Sequence, residues 1–244
     1  NVLHHTYTNV ENGDEDIEVR YLLRFSPNQP RYWYHKYQHV YAVFFYAVST
    51  FYWATGKDFM KLAKYKEKGF VKTNKEYIGR LSKIIFGKLL YFSVFLLLPM
   101  LLVNIPIWLT FLMFMSMHVV AGIALSITFQ LAHVVPSSEF VIADGEEIKQ
   151  NWSVHQLLTT CNFAPKSKIV GWFTGGLNFQ IEHHLFPNIC HIHYPKLSKI
   201  VQETAAEFNI PYHMEKTFAA AVRGHFRMLR DLGRIDPVRV PASA

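Results

Sequence analysis

Between Ile84 and Val135 the chain carries a single charged residue, Lys88, and no other feature restricts its folding so strongly. A helix needs ~20 predominantly apolar residues to cross a bilayer. The run therefore has room for two crossings, and "VNIPI" interrupts it with Asn104 and Pro106. Proline cannot donate to a helical ladder and restricts the residue before it, so the interruption reads as a minimal turn. We expect a membrane hairpin with spans at 85–104 and 107–131. Half of the residues are hydrophobic and 18% are charged, below the roughly 25% of ordinary soluble domains. The net charge of +7 suits nucleic acid or an anionic membrane surface, but the basic residues flank apolar runs. The lysine-rich stretch from Lys57 to Lys88 is in the bland reading a solvated helical face. Beside a span it also marks the cytoplasmic side. The expected partner is a lipid bilayer and not nucleic acid.

The rest of the chain is expected to form one domain, 1–244, around this hairpin. Residues 1–37 hold the acidic "ENGDEDIE" and the turn-rich "FSPNQP", which argues for loop with short helical pieces. Residues 38–55 are apolar and aromatic but short of a full span, so an interfacial or re-entrant segment is expected there. Helical patterns follow at about 150–162 and 195–209, then a basic amphipathic tail from Phe218 and a loose "DPVRVPASA". Cys161 and Cys190 are too few for a disulfide framework and read as reduced thiols. "NVLHHTYTN" has neither a charged n-region nor an apolar h-region, so no signal peptide is expected and the start reads as a cut.

Of the thirteen histidines, five fall into three groups. "HHTYTN" brings His4 and His5, "FQLAHVV" brings Gln130 and His133 at the exit of the second span, and "NFQIEHH" brings Gln180, His183 and His184. On a helix, positions i, i+3 and i+4 share a face, so each of the last two groups can converge on one point. With one hairpin between them, the first and last pairs lie on the same side of the membrane. Imidazole suits iron, zinc, copper and nickel, while a His-rich, Cys-poor set disfavours iron–sulfur clusters. "HExxH" and "PCxxC" are both missing from the sequence. Each group has a plainer reading: His133 as a hydrogen-bonded helix-end residue, His4 and His5 as part of a loose terminus. Their joint occurrence beside a parity-matched hairpin favours a metal site.

"QIEHH" resembles the third histidine box of the membrane-bound front-end fatty acid desaturases, with glutamine in place of the first histidine. "NVLHHTYTN" is similar to their second box, whose leading histidine would precede Asn1; the first box would lie further upstream. "FQLAHVV", "HQLLTTCNFAP" and "GGLNFQIEHHLFPNICHIHYP" follow in family order across essentially the whole chain. The resemblance implies an all-α integral membrane protein, a transmembrane helical hairpin with a cytoplasmic helical cap carrying the histidine boxes. It also implies two iron ions in a non-haem di-iron centre, with His4, His5, His133, His183 and His184 as ligands and Gln180 as ligand or near neighbour. His155 reads as a surface residue in preference to one that orients a ligand. His191 and His193 read as structural, and His35, His39, His118, His213 and His225 receive no role. The acidic cluster reads as a solvated loop, with Asp14 or Asp16 as the alternative partner for a ligand imidazole.

Dehydrogenating an unactivated methylene lies beyond acid–base side chains, so a cofactor must supply the chemistry. The resemblance implies dioxygen as co-substrate and an electron donor of cytochrome b5 or ferredoxin type. It implies a linoleoyl-like acyl-CoA or acyl-lipid substrate, a Δ5, Δ6 or Δ8 product, and a bacterial inner membrane or endoplasmic reticulum location. Trp172, Phe173 and Phe179 read either as lining of an acyl channel or as core. The rival readings are a related di-iron hydroxylase and a membrane metal transporter. Lacking a complete box, the 244-residue chain is expected to be inactive alone.

Overall fold

The computed structural model describes residues 2–11, 13–14, 17, 21–142 and 150–237. In chain order the helices are α1 (Val2–Thr6), α2 (Gln38–Tyr52), α3 (Asp58–Glu67), α4 (Asn74–Phe92), α5 (Leu98–Leu102), α6 (Ile107–His133), α7 (Trp152–Thr159), α8 (Lys168–Phe173), α9 (Gln180–Leu185), α10 (Tyr194–Glu207) and α11 (Phe218–Leu232). To the expected helices the structure adds two parallel strand pairs. β1 (Val10–Glu11) pairs with β2 (Val141–Ile142), and β3 (Asn162–Phe163) pairs with β4 (Met214–Glu215). Strands of two residues carry no period-2 alternation, which is why the sequence gives no sign of them.

The chain packs as two units, Asn1–Ala42 with Ile127–Ala244, and Val43–Ser126. In the second unit, π-type turns at Trp53–Lys57 and Ser93–Leu97 join α2 to α3 and α4 to α5. The continuous helices Asn74–Leu102 and Ile107–His133 are each long and apolar enough to cross a membrane. The first begins well before residue 85 because Thr73 caps it: its side chain accepts from the Glu76 backbone, and Glu76 accepts from the Lys72 backbone in return. A Thr followed three residues on by Glu is a helix-start signal in its own right. Leu101, Leu102, Ile107 and Trp108 are exposed, an apolar surface that water disfavours and lipid solvates.

Lys88 is anchored at this unit's π-type turn, donating to the carbonyls of Trp53 and Ala54 and pairing with Asp58 at 2.8 Å. His118 is buried between Thr50, 3.1 Å from its Nδ1, and Tyr91, 3.1 Å from its Nε2. Such polar contacts join helices in an apolar medium.

In the first unit, Leu131, Ala132, Phe163, Ala164 and Ala221 form one core cluster, and Leu157, Ile181 and Val201 another. Helix α11 contributes a buried stripe of Ala221, His225, Leu229 and Leu232, one face of a 3.6-residue period. Pro136 follows closely on the end of α6 and cannot continue it, which fixes His133 as that helix's last residue.

Candidate metal centre

The first unit gathers histidines from three distant segments. The ring centroids of His4 on α1, His133 at the end of α6 and His184 on α9 lie 4.8, 5.0 and 4.9 Å apart pairwise. One nitrogen from each falls within 4.8 Å of the others. His5 stacks on His184 at 4.3 Å and meets His183 edge-on at 4.8 Å. The two terminal pairs thus lie against one another.

Neighbouring acceptors set the tautomers. His4 Nδ1 lies 3.0 Å from both carboxylate oxygens of the fully buried Asp14, so Nδ1–H donates and Nε2 keeps its lone pair. Asp14 belongs to the acidic cluster expected to be a solvated loop. The structure corrects that reading at this position, because the chain turns back at Asn9, whose N–H also donates to Asp14. Asp16, the other candidate, lies outside the described residues.

His184 Nδ1 donates to Gln156 Oε1 at 2.8 Å, which likewise leaves Nε2 bare. Thr8 Oγ1 stands 2.8 Å from the same oxygen. Metal-bound imidazoles characteristically give their second nitrogen to such a partner.

Burial makes these lone pairs available. His184 is held well below its ordinary pKa by burial and then by His133 and its other imidazole neighbours. His5 is lowered to about 4 by burial and then by His183, and His183 is lowered by burial and then by His4. Clustered imidazoles cannot all carry protons, and burial favours the neutral, lone-pair-bearing form of His5, His183 and His184. His184 Nε2, His5 Nδ1 and both ring nitrogens of His133 are buried without a hydrogen-bond partner. Each such orphan costs about 1–3 kcal/mol, a cost that a metal ion removes, and in this respect the residues fit one. Gln180 is buried on the same helix, its Nε2 also without a partner. Gln130 has a buried, unpartnered Oε1.

His155 is not on the surface. It is 1% exposed, and its Nε2 lies 2.9 Å from the Thr8 carbonyl. The α7 register turns it inward together with Gln156, so one turn of helix holds both the loop after α1 and His184. Trp172 and Phe173 are 83% and 63% exposed, so neither fills a core. Phe179 is buried. His191 and His193 are exposed on a short 3-10 turn.

Sequence reasoning missed several residues that build the site. Asn9, at φ 55°, donates from Nδ2 to the carbonyls of His133, Glu139 and Thr159. Asparagine tolerates that left-handed conformation, and here it ties the exit of α1 to the ends of α6 and α7. Glu182, between the histidines and Gln180, is fully buried and accepts from Asn162 Nδ2 and Tyr212 O–H, both at 2.8 Å. Burial raises its pKa against those two hydrogen bonds. Asn162 Oδ1 accepts from the Ile181 N–H at 2.9 Å, so α9 is pinned to β3. The only sequence signal for these residues is adjacency: Asn9 closes "HHTYTN", Gln156 follows His155, and Glu182 sits inside "QIEHH".

A family model described as fatty acid desaturase matches residues 2–216. The chain is 35% identical to the sn-1 linoleoyl-lipid 6-desaturase of Arthrospira platensis, over 97% of this chain and 64% of that protein. It is 39% identical to an acyl-lipid (8-3)-desaturase of Physcomitrium patens, over 94% and 48%. It is 33% identical to the Delta(5) fatty acid desaturase A of Dictyostelium discoideum, over 96% and 51%. The chain spans about half to two thirds of the length of these relatives. No solved structure matches significantly.

Proposed function

Because the chain belongs to the fatty acid desaturase family, we propose that it is part of an oxygen-dependent front-end desaturase. The enzyme introduces a cis double bond between an existing one and the carboxyl end of a linoleoyl-like acyl chain. Overall, two hydrogens leave adjacent methylenes, an electron donor of cytochrome b5 or ferredoxin type provides two electrons, the medium provides two protons, and dioxygen is reduced to two waters. The observation that carries this reading is the convergence of His4, His133 and His184, with Asp14 and Gln156 behind two of them.

The donor set, imidazole-rich and free of thiolate, suits iron. His4, His133 and His184 would hold one ion, and His5 and His183, with Gln180 beside them, a second. When bound, iron supplies the dioxygen chemistry needed against an unactivated C–H bond. The protein's own work is geometric. Asp14 and Gln156 fix two imidazoles by accepting from Nδ1, Asn162 and Tyr212 hold the third box through Glu182, and burial excludes water and keeps the imidazoles neutral. The histidines face the cytoplasm, on the side marked by the lysine-rich stretch, and residues 38–55 lie along the interface.

Relatives named for the 6-, (8-3)- and Delta(5)-positions support the front-end subclass and an acyl-lipid substrate. The test is expression of the whole protein in yeast fed linoleate, with double bonds located by gas chromatography and mass spectrometry. A new bond on the carboxyl side of the existing one is expected. A hydroxylated product in its place would assign the related hydroxylase and sink the desaturase reading.

A further inference from the structure

Away from the histidines, the first unit holds a groove of about 420 Å³ lined by Arg31, Lys36, Tyr37, His39, Gly233 and Arg234. Two segments far apart in sequence meet there, and the junction is built tightly. Gly233 lies so close to the His35 carbonyl that a Cβ would stand 2.1 Å from its oxygen. Beneath it, the fully buried Arg24 donates to the carbonyls of Pro27, Gln29, Leu232 and Ile235. These bonds close the end of α11 against the 24–29 turn. They also bring in a guanidinium whose contacts are with carbonyls, and no contacting carboxylate is found for it among the described residues. Arg24 is held below its ordinary pKa by burial and then by the like charge of Arg31, against the opposing pull of Asp236 and Glu11.

Asp236 is the carboxylate at the rim, paired with Arg31 at 2.7 Å. The ammonium of Lys36 lies 4.8 Å from the centre of the Tyr37 ring, and Arg234 is exposed. His39 Nδ1 is buried and unpartnered. Trp33, Tyr37 and Val40, exposed at 76%, 52% and 67%, add apolar and aromatic surface beside these charges. Basic groups together with exposed aromatics match a membrane interface.

We propose that this groove is a phosphate site taking the headgroup of an anionic membrane lipid, with Lys36 and Arg234 as its main contacts. The phosphate oxygens accept from these two side chains, and the lipid's glycerol and upper acyl carbons lie over Trp33 and Val40. Recognition here does not depend on the metal centre or on catalysis.

The test uses the whole protein purified in detergent, with phosphatidylglycerol binding followed by native mass spectrometry. Diacylglycerol with the same tails and inorganic phosphate serve as comparisons. Wild type should bind phosphatidylglycerol at least about tenfold more tightly than diacylglycerol, and K36A/R234A should lose about tenfold. K36R/R234K should retain binding, which separates loss of charge from loss of fold, and added salt should weaken it. Equal phosphatidylglycerol binding by wild type and K36A/R234A would overturn the site. Displacement of the lipid by inorganic phosphate at comparable concentration would overturn the lipid assignment in favour of a free phosphate.

Discussion

At the scale of single residues, the site is decided by which nitrogen of each imidazole is spoken for. Gln156 and Asp14 contribute no metal donor, yet each holds an Nδ1–H and so aims an Nε2. Replacing Gln156 with leucine leaves the His184 Nδ1–H without its acceptor and frees the ring to turn. Metal affinity should fall about 10- to 100-fold, read as iron retained against a competing chelator. Retention equal to wild type would remove Gln156 from the site. His225 titrates apart from this cluster, with its Nδ1 donating to the Val134 carbonyl at 2.8 Å. Burial lowers its pKa from 6.5 to about 4, so between those values the unfolded chain takes up a proton that the native form refuses. Its contribution to stability is present above pH 6.5 and is lost as pH falls through about 4. Thermal unfolding midpoints should drop across that window, and less steeply in a His225→Gln variant.

At the scale of elements, close approach and local anchors fix what hydropathy leaves loose. Gly122 on α6 faces the backbone of α2: a Cβ there would lie 2.4 Å from the Tyr46 carbonyl oxygen and 2.7 Å from that of Ala47. Backbone cannot swing aside as a side chain can, so Gly122→Ala should separate the helices and cost about 1–3 kcal/mol. Thermal unfolding in detergent would record the loss, and an unchanged midpoint would mean that the two helices do not touch. The third box depends on a different use of glycine. Gly176, at φ 80°, bonds back to the Gly171 carbonyl at 2.8 Å, and the turn it makes delivers Gln180–Leu185 to the β3 edge. The two long apolar helices were legible from hydropathy, but their ends were set by Thr73 and Pro136, which composition averages away.

At the scale of the whole molecule, buried imidazoles and an unpartnered glutamine are tolerable in a fold that binds an ion and costly in one that does not. Metal bound to the native state alone stabilises it by mass action. Chelation should therefore lower the unfolding temperature of the iron-loaded whole protein, and His133→Ala should abolish most of that difference. A chelator-insensitive midpoint would count against a metal at this centre. Much of this was readable in the linear chain, because a span is a matter of local composition and His183 and His184 share a helix turn whatever surrounds them. The family resemblance rests on such local spacing too. What no spacing carries is the partner of each group. From the sequence Asp14 reads as solvated and His155 as exposed, yet both are buried, because Asn9 folds the segment after α1 onto the ends of α6 and α7. The sequence alone determined which residue types and which membrane-length helices were available. Only the tertiary structure decided which nitrogens point inward, since the hydrogen-bond partners that decide it lie anywhere from 10 to 176 residues away along the chain.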